Sequence, residues 1–164
     1  MQSKASKPLG RRVWAWSLYD FGNSSVAVLF GAMFAVYYTE DVVSPYYENV
    51  VGKAVEGEGD LWWGGTIALS MMLVAFSSPF MGGIADHTGR RKRILAFYTA
   101  VGVVSVFALM LVGPGGLGMV LMATALAALA NIAFEGGLVF YNAYLPDIAP
   151  PDQRGRVSAL GFAV

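Results

Sequence analysis

The sequence contains no cysteine and only one histidine, His87, among its 164 residues. The absence of cysteine excludes disulfides, thiolate nucleophiles and cysteine-ligated metal sites within this chain. A single histidine does not build a metal centre or a histidine-based catalytic site, so we expect no metal, no cofactor and no enzymatic activity. Charge is also scarce: charged residues make up 13% of the chain and the formal net charge is +0, which argues against a nucleic-acid partner.

Lysine and arginine are absent from four long apolar runs, which dominate the chain. Hydrophobic residues make up 56% of the sequence, a share that would leave a soluble monomer with large exposed apolar patches. A helix needs about 20 residues to cross the hydrocarbon core of a bilayer, and each run has about that length or more. The runs cover residues 13–38, 62–85, 94–112 and 117–145, and a fifth at 157–164 is cut off by the end of the chain.

These runs predict an all-α, polytopic membrane helix bundle with four full spans and the start of a fifth. Residues 1–12 are expected to form a cytoplasmic amino-terminal segment, and residues 13–164 a partial transmembrane bundle in the lipid bilayer. The fifth run is too short to cross the hydrocarbon core. We therefore expect the chain to be the first part of a larger protein.

The distribution of basic residues predicts the orientation. All of them except Lys53 fall in segments that the alternation of spans places on one side of the membrane. These are Lys4, Lys7, Arg11 and Arg12, residues 90–93, and Arg154 and Arg156. Lys53 lies in the acidic segment 39–61, which we expect to be an external loop. Since basic segments stay in the cytoplasm, the amino terminus is predicted to be cytoplasmic.

The second and third runs are joined by an acidic and then basic turn, residues 82–93. A topology signal explains its basic residues, but it leaves the spacing of the glycines and the aspartate unexplained. The turn reads G-x-x-x-D-x-x-G-R-R-K, formed by Gly82, Asp86, Gly89, Arg90, Arg91 and Lys92. This pattern resembles the loop between the second and third helices of major facilitator transporters.

Two further stretches narrow the resemblance. They are WSLYDFGNSS at 16–25 and FYNAYLPDIAPPDQRGRVS at 140–158. Together with the turn they resemble the unknown major facilitator family, which is similar to the vacuolar amino-acid effluxers associated with autophagy. The resemblance implies the amino-terminal part of a major facilitator fold with twelve or more helices, whose carboxy-terminal half this chain lacks.

The resemblance also implies a secondary active transporter that moves a small solute by alternating access, with amino acids as the best-supported substrate class. We expect it in the plasma membrane of a prokaryote. The arginine that many proton antiporters carry in the fourth helix is replaced by Ile132, so coupling to a proton or sodium would use other groups. A non-transporting membrane scaffold or assembly factor stays open as the alternative.

Two carboxylates lie inside the apolar runs, Asp20 in the first and Glu135 in the fourth. Helical spacing places Asn23 on the face of Asp20, and Asn131 and Asn142 on the stripe of Glu135. An unpaired carboxylate in hydrocarbon is costly, so these groups must face water, bind a cation or proton, or pair with the missing part. We predict that these residues line a solute or ion cavity. The alternative is that they only fix helix packing.

By resemblance, the turn belongs to a charge network that holds the cytoplasmic ends of the helices together in one conformational state. In that network Asp86 and Arg90 meet the loop after the fourth span, where Asp147 and Arg154 are the matching partners. The predicted conformational gate consists of Gly82, Asp86, Gly89, Arg90, Arg91, Asp147 and Arg154. The alternative is a solvated turn without a gating role.

Overall fold

The computed structural model describes residues 10–52 and 57–163, with side chains to residue 159 in the last helix. Residues 1–9, which hold most of the predicted amino-terminal segment, lie outside the described residues. In the described part every regular element is a helix, which confirms the all-α prediction. The helices are α1 (Arg11–Val51), α2 (Glu58–Thr88), α3 (Arg91–Leu109), α4 (Leu117–Asn142), α5 (Leu145–Ile148) and α6 (Arg154–Ala163).

Four helical segments are long and apolar enough to cross a membrane, namely α1, α2, α3 and the stretch Leu117–Ile148 that contains α4 and α5. Their outer surfaces are apolar: Phe80 of α2 and Val104 and Phe107 of α3 expose 74%, 67% and 66% of their area. Water would disfavour such a surface, whereas hydrocarbon accommodates it. The chain is therefore part of an integral, multi-pass membrane protein.

The first helix is longer than the sequence indicated. We expected an external loop over residues 39–61, but α1 continues to Val51 and stops at Gly52, whose φ of 73° ends the helix. The expectation of a loop over 39–51 was wrong because apolar side chains recur there at helical spacing. Tyr38, Val42 and Val43 are each 0% exposed and pack against α2 and α4.

The helical turns of α1 vary in width. Its first part, Arg11–Val28, is α-helical. Wider π-type turns follow at Leu29–Phe34, Tyr38–Val43 and Tyr47–Val51. Such turns interrupt the regular hydrogen-bond ladder and are where helices bend.

The turn between α2 and α3 is shorter than the sequence pattern suggested. Most of residues 82–93 are helical, because α2 ends at Thr88 and α3 begins at Arg91. Only Gly89 and Arg90 lie between the two helices. Gly89 has a φ of 63°, a left-handed conformation that glycine adopts without steric cost. This explains the glycine at this position of the pattern.

Helix α4 lies between α2 and α3, and small residues let it approach them closely. Gly136 of α4 faces the ring of Tyr98, where an added Cβ would lie 2.5 Å from Cε1. A Cβ on Gly102 of α3 would lie 3.3 Å from the Cβ of Ala133. Close backbone approach through small residues is typical of packing between membrane helices.

Two apolar clusters hold α1, one near each of its ends. The Tyr38 cluster consists of Tyr38, Val42, Val43, Leu109, Val112, Val120 and Ala123. The Tyr141 cluster consists of Val13, Trp16, Tyr141, Ala149 and Val157. Between the clusters, α1 is flanked by three cavities rather than by close packing.

Candidate functional site

The ends of three helical elements meet at an ion-paired cluster, which we call the Arg91 triad: Asp86, Arg91 and Asp147. Arg91 Nη2 lies 2.6 Å from Asp86 Oδ1, and Arg91 Nε donates to the same oxygen at 2.8 Å. Arg91 Nη1 donates to Asp147 Oδ2 at 3.3 Å. A fourth contact, 3.5 Å from Arg91 Nη1 to the carbonyl of Ala143, also reaches the segment after α4. One guanidinium thus joins the α2–α3 turn to α5.

Local structure explains why Arg91 reaches both acids. Asp86 lies in the last turn of α2, Arg91 is the first residue of α3, and Asp147 lies in the first turn of α5. The side chains of Arg91, Asp86 and Asp147 expose 32%, 64% and 56% of their area, so water can compete for each pair. The triad is therefore suited to form and break.

The observed pairing differs from the one expected by resemblance. Arg91, rather than Arg90, pairs with Asp86, and in the described part of the chain Arg90 makes no ion pair. Arg154 instead donates from Nε to the carbonyl of Ala149 at 3.3 Å. Gly82 lies in α2 one turn before Asp86, and a Cβ there would meet no neighbour within 4 Å. The gating role of these residues stays a prediction.

Asp20 lies beside a stack of three aromatic rings that joins α1 to α4. Trp16 stacks on Tyr141 with ring centroids 4.4 Å apart, and Tyr19 stacks on Tyr141 at 5.3 Å. Trp16 Nε1 also donates to the Tyr141 carbonyl at 3.2 Å. The buried Tyr141 hydroxyl lies next to the Asp20 carboxyl. It nevertheless forms no hydrogen bond with any group in the described residues. The sequence analysis did not identify this ring stack.

The other predicted cavity residues are distributed over separate spaces. Asn131 and Glu135 line a cavity of about 260 Å³ between α1, α2 and α4. Asn23 lines another of about 390 Å³ between α1, α3 and α4. Asn142 is exposed and lines neither. The structure therefore does not gather these residues and Asp20 into a single site.

Asn131 has a partner that the sequence analysis did not identify. Its Nδ2 donates to Ser70 Oγ at 2.7 Å, and both side chains are buried. Ser70 in turn donates to the carbonyl of Ile67 within α2. The amide of Asn131 therefore joins α4 to α2, which is the packing role left open as an alternative for this residue.

Comparison with known proteins shows the family to which this chain belongs. The family model described as "Vacuole effluxer Atg22 like" matches residues 65–160, a range that includes the whole Arg91 triad. The chain belongs to this family.

A curated relative agrees with the Atg22-like assignment. The chain is 32% identical over 151 residues to a protein named "Uncharacterized MFS-type transporter YxiO" from Bacillus subtilis. The alignment covers 92% of this chain but only 33% of that protein. The Atg22-like chain thus spans about a third of the length of its relative. No solved structure matches it.

Proposed function

We propose that the full-length Atg22-like protein is a secondary active transporter that moves a small solute across the membrane by alternating access. Four membrane-length helices and the transporter name of the relative support this assignment. The single observation that carries the mechanism is the Arg91 triad. It links the ends of α2 and α3 to the segment after α4 through partly exposed ion pairs, and such pairs can exchange between two conformations at low cost.

The triad would act as the gate on the cytoplasmic side. When Arg91 pairs with both acids, the α2–α3 turn is tied to α5, so this end of the bundle stays closed. When the pairs break, water satisfies all three groups, and the helix ends are free to separate. Gly82 and Gly89 would support the gate, the first by leaving open space beside α2 and the second through its left-handed turn.

Asp20 and Glu135 would serve the solute or the coupled ion. In the described spans no lysine or arginine lies inside the apolar runs to neutralise them. A proton, a sodium ion or the ammonium group of an amino acid would supply the missing positive charge. This argument supports amino acids as the substrate class, with Asn131 beside Glu135 in one cavity and Asn23 three residues after Asp20 in α1 as the nearby polar groups.

The topology completes the proposal. The amino terminus and the Arg91 triad would face the cytoplasm, and the Gly57 end of α2 would face outward, because basic residues collect at the triad end. The plasma membrane of a bacterium is the proposed location, since the relative is bacterial. No catalytic step is part of this function.

Reconstitution of the full-length protein tests the proposal. Purified protein in vesicles should take up labelled amino acids only when a proton or sodium gradient is imposed, and unlabelled substrate should compete. The Arg91→Gln variant lacks the ion pairs of the gate. It should transport more slowly than the unmodified protein when equal amounts of the two are reconstituted. Absence of uptake for every amino acid, under both gradients, would favour the non-transporting scaffold instead.

A further inference from the structure

The α2–α3 turn has a second side that the gate does not use. Beside the Arg91 triad, on another face of α3, lies an open groove of about 350 Å³ between the end of α2 and the start of α3. Its apolar lining comes from Met81 and Ile84 of α2 and from Ile94 and Phe97 of α3. Thr88 and the two guanidinium groups of Arg90 and Arg93 complete the lining.

Helical spacing explains why these side chains share one groove. Arg90, Arg93, Ile94 and Phe97 follow the spacing of a single helix face. Arg91 lies about 100° around the helix from its neighbours, since there are 3.6 residues per turn. It therefore turns to Asp86 and Asp147, while Arg90 and Arg93 border the groove.

The two groove arginines have no acidic partner in the described part of the chain. The ion pairs there belong to Arg91, and Asp86, the nearest acid in sequence, is already engaged by it. Two guanidiniums beside an apolar wall provide donors in the fork arrangement that suits phosphate oxygens. The groove thus combines positive charge with an apolar surface and lacks a counter-ion of its own.

We propose that this groove binds an anionic phospholipid. Phe97 lies about 6 Å further along α3 than Arg93, at 1.5 Å rise per residue. The charged end of the groove therefore coincides with the end of the apolar helices, and its aromatic end with their interior. A phospholipid has the same order, with phosphate at the headgroup level and acyl chain below it. Anionic lipids attract basic residues at the cytoplasmic membrane surface.

Native mass spectrometry of the full-length protein in detergent measures this binding. Phosphatidylglycerol should bind more tightly than phosphatidylcholine with the same acyl chains. The double variant Arg90→Gln, Arg93→Gln should bind phosphatidylglycerol about thirtyfold more weakly, which corresponds to about 2 kcal/mol at 1.4 kcal/mol per factor of ten. The double variant Arg90→Lys, Arg93→Lys keeps both charges and should lose no more than about threefold.

A charge-matched control separates a site from general attraction. Lys92→Gln with Arg156→Gln also removes two exposed positive charges, but neither residue lines the groove, so affinity should change by less than about threefold. If the glutamine double variant is not monodisperse, Arg93→Gln alone should still lose about fivefold.

Four results would overturn the proposal. Equal losses in the groove variant and in the matched control would show diffuse attraction. Equal binding of the two lipids would show that the headgroup is not recognised. Equal binding of free glycerol 3-phosphate would show a phosphate site without a lipid. Retention of no lipid would show that the rest of the protein covers the groove.

Discussion

Replacing Arg91 with glutamine is the most direct test of the gate, because one change removes both ion pairs. Their partners are exposed by 64% and 56%, and Arg91 itself by 32%. Pairs of this kind contribute about 0.2–1 kcal/mol each, so the two together contribute about 0.4–2 kcal/mol. One factor of ten is about 1.4 kcal/mol. The equilibrium between the conformation that keeps the triad and the one that breaks it should therefore shift about two- to thirtyfold.

Cysteine labelling from each side of the membrane measures this shift. A reporter made by Ala27→Cys, in full-length protein without other cysteines, would line the cavity beside α1 and α2. In Arg91→Gln, a membrane-impermeant maleimide should label it more slowly from outside and faster from the cytoplasmic side. The contact distances also predict which of the two acid-to-amide variants has the larger effect on labelling. Asp86→Asn should shift labelling more than Asp147→Asn, because Asp86 accepts contacts at 2.6 and 2.8 Å whereas Asp147 accepts one at 3.3 Å.

The matched control for this experiment is Lys92→Gln. Lys92 lies next to Arg91 in the same turn and is exposed, but among the described residues it forms no ion pair. Labelling should stay as in the unmodified protein. An equal shift in Lys92→Gln would refute the reasoning, because the turn would then act through its total charge. A shift in Arg90→Gln but not in Arg91→Gln would favour the pairing expected by resemblance over the observed one.

Three further predictions follow from other parts of the bundle. A reporter inserted at Gly57 of the full-length protein should be external and one after Arg93 cytoplasmic; detection of both on one side would contradict the topology. Asp20→Asn and Glu135→Gln should change the proton or sodium dependence of transport more than the thermal stability in detergent, and unchanged ion dependence in both would make them packing residues. Gly136→Val should lower stability by about 1–3 kcal/mol, because a tyrosine ring of α3 occupies the space of any side chain there; a thermal midpoint equal to that of the unmodified protein would argue against this close contact.

The helices were predictable because the apolar runs are long and nearly free of charge. The error at the end of α1 has a physical cause. Residues 39–51 mix acidic and apolar side chains, so hydropathy indicates that they leave the membrane but does not show that they also leave the helix. Val42 and Val43 keep this stretch helical by packing against other helices. That tertiary contact cannot be read from local sequence.

The site was predictable at the level of segments but not of partners. The pattern in the α2–α3 turn indicated a charge network with Asp147, yet the rotation of α3 about its axis decides whether Arg90 or Arg91 faces the acids. A sequence does not specify this rotation within one residue. Likewise, the position of Asn131 in a polar stripe predicted that it lines a cavity. Only the three-dimensional packing reveals Ser70 as its hydrogen-bond partner.

The length of α1 has a consequence for how any passage beside it could open. Its 41 residues correspond to about 60 Å of helix, roughly twice the hydrocarbon thickness of a bilayer. Because the Tyr141 cluster and the Tyr38 cluster fix α1 near its two ends, the helix cannot move aside as a rigid body. It can widen a space next to it only by bowing or by rotating about its own axis. The wide π-type turn at Leu29–Phe34 lies between the residues of α1 that belong to the two clusters. The curvature of α1 at this turn would therefore set the width of the space beside the helix.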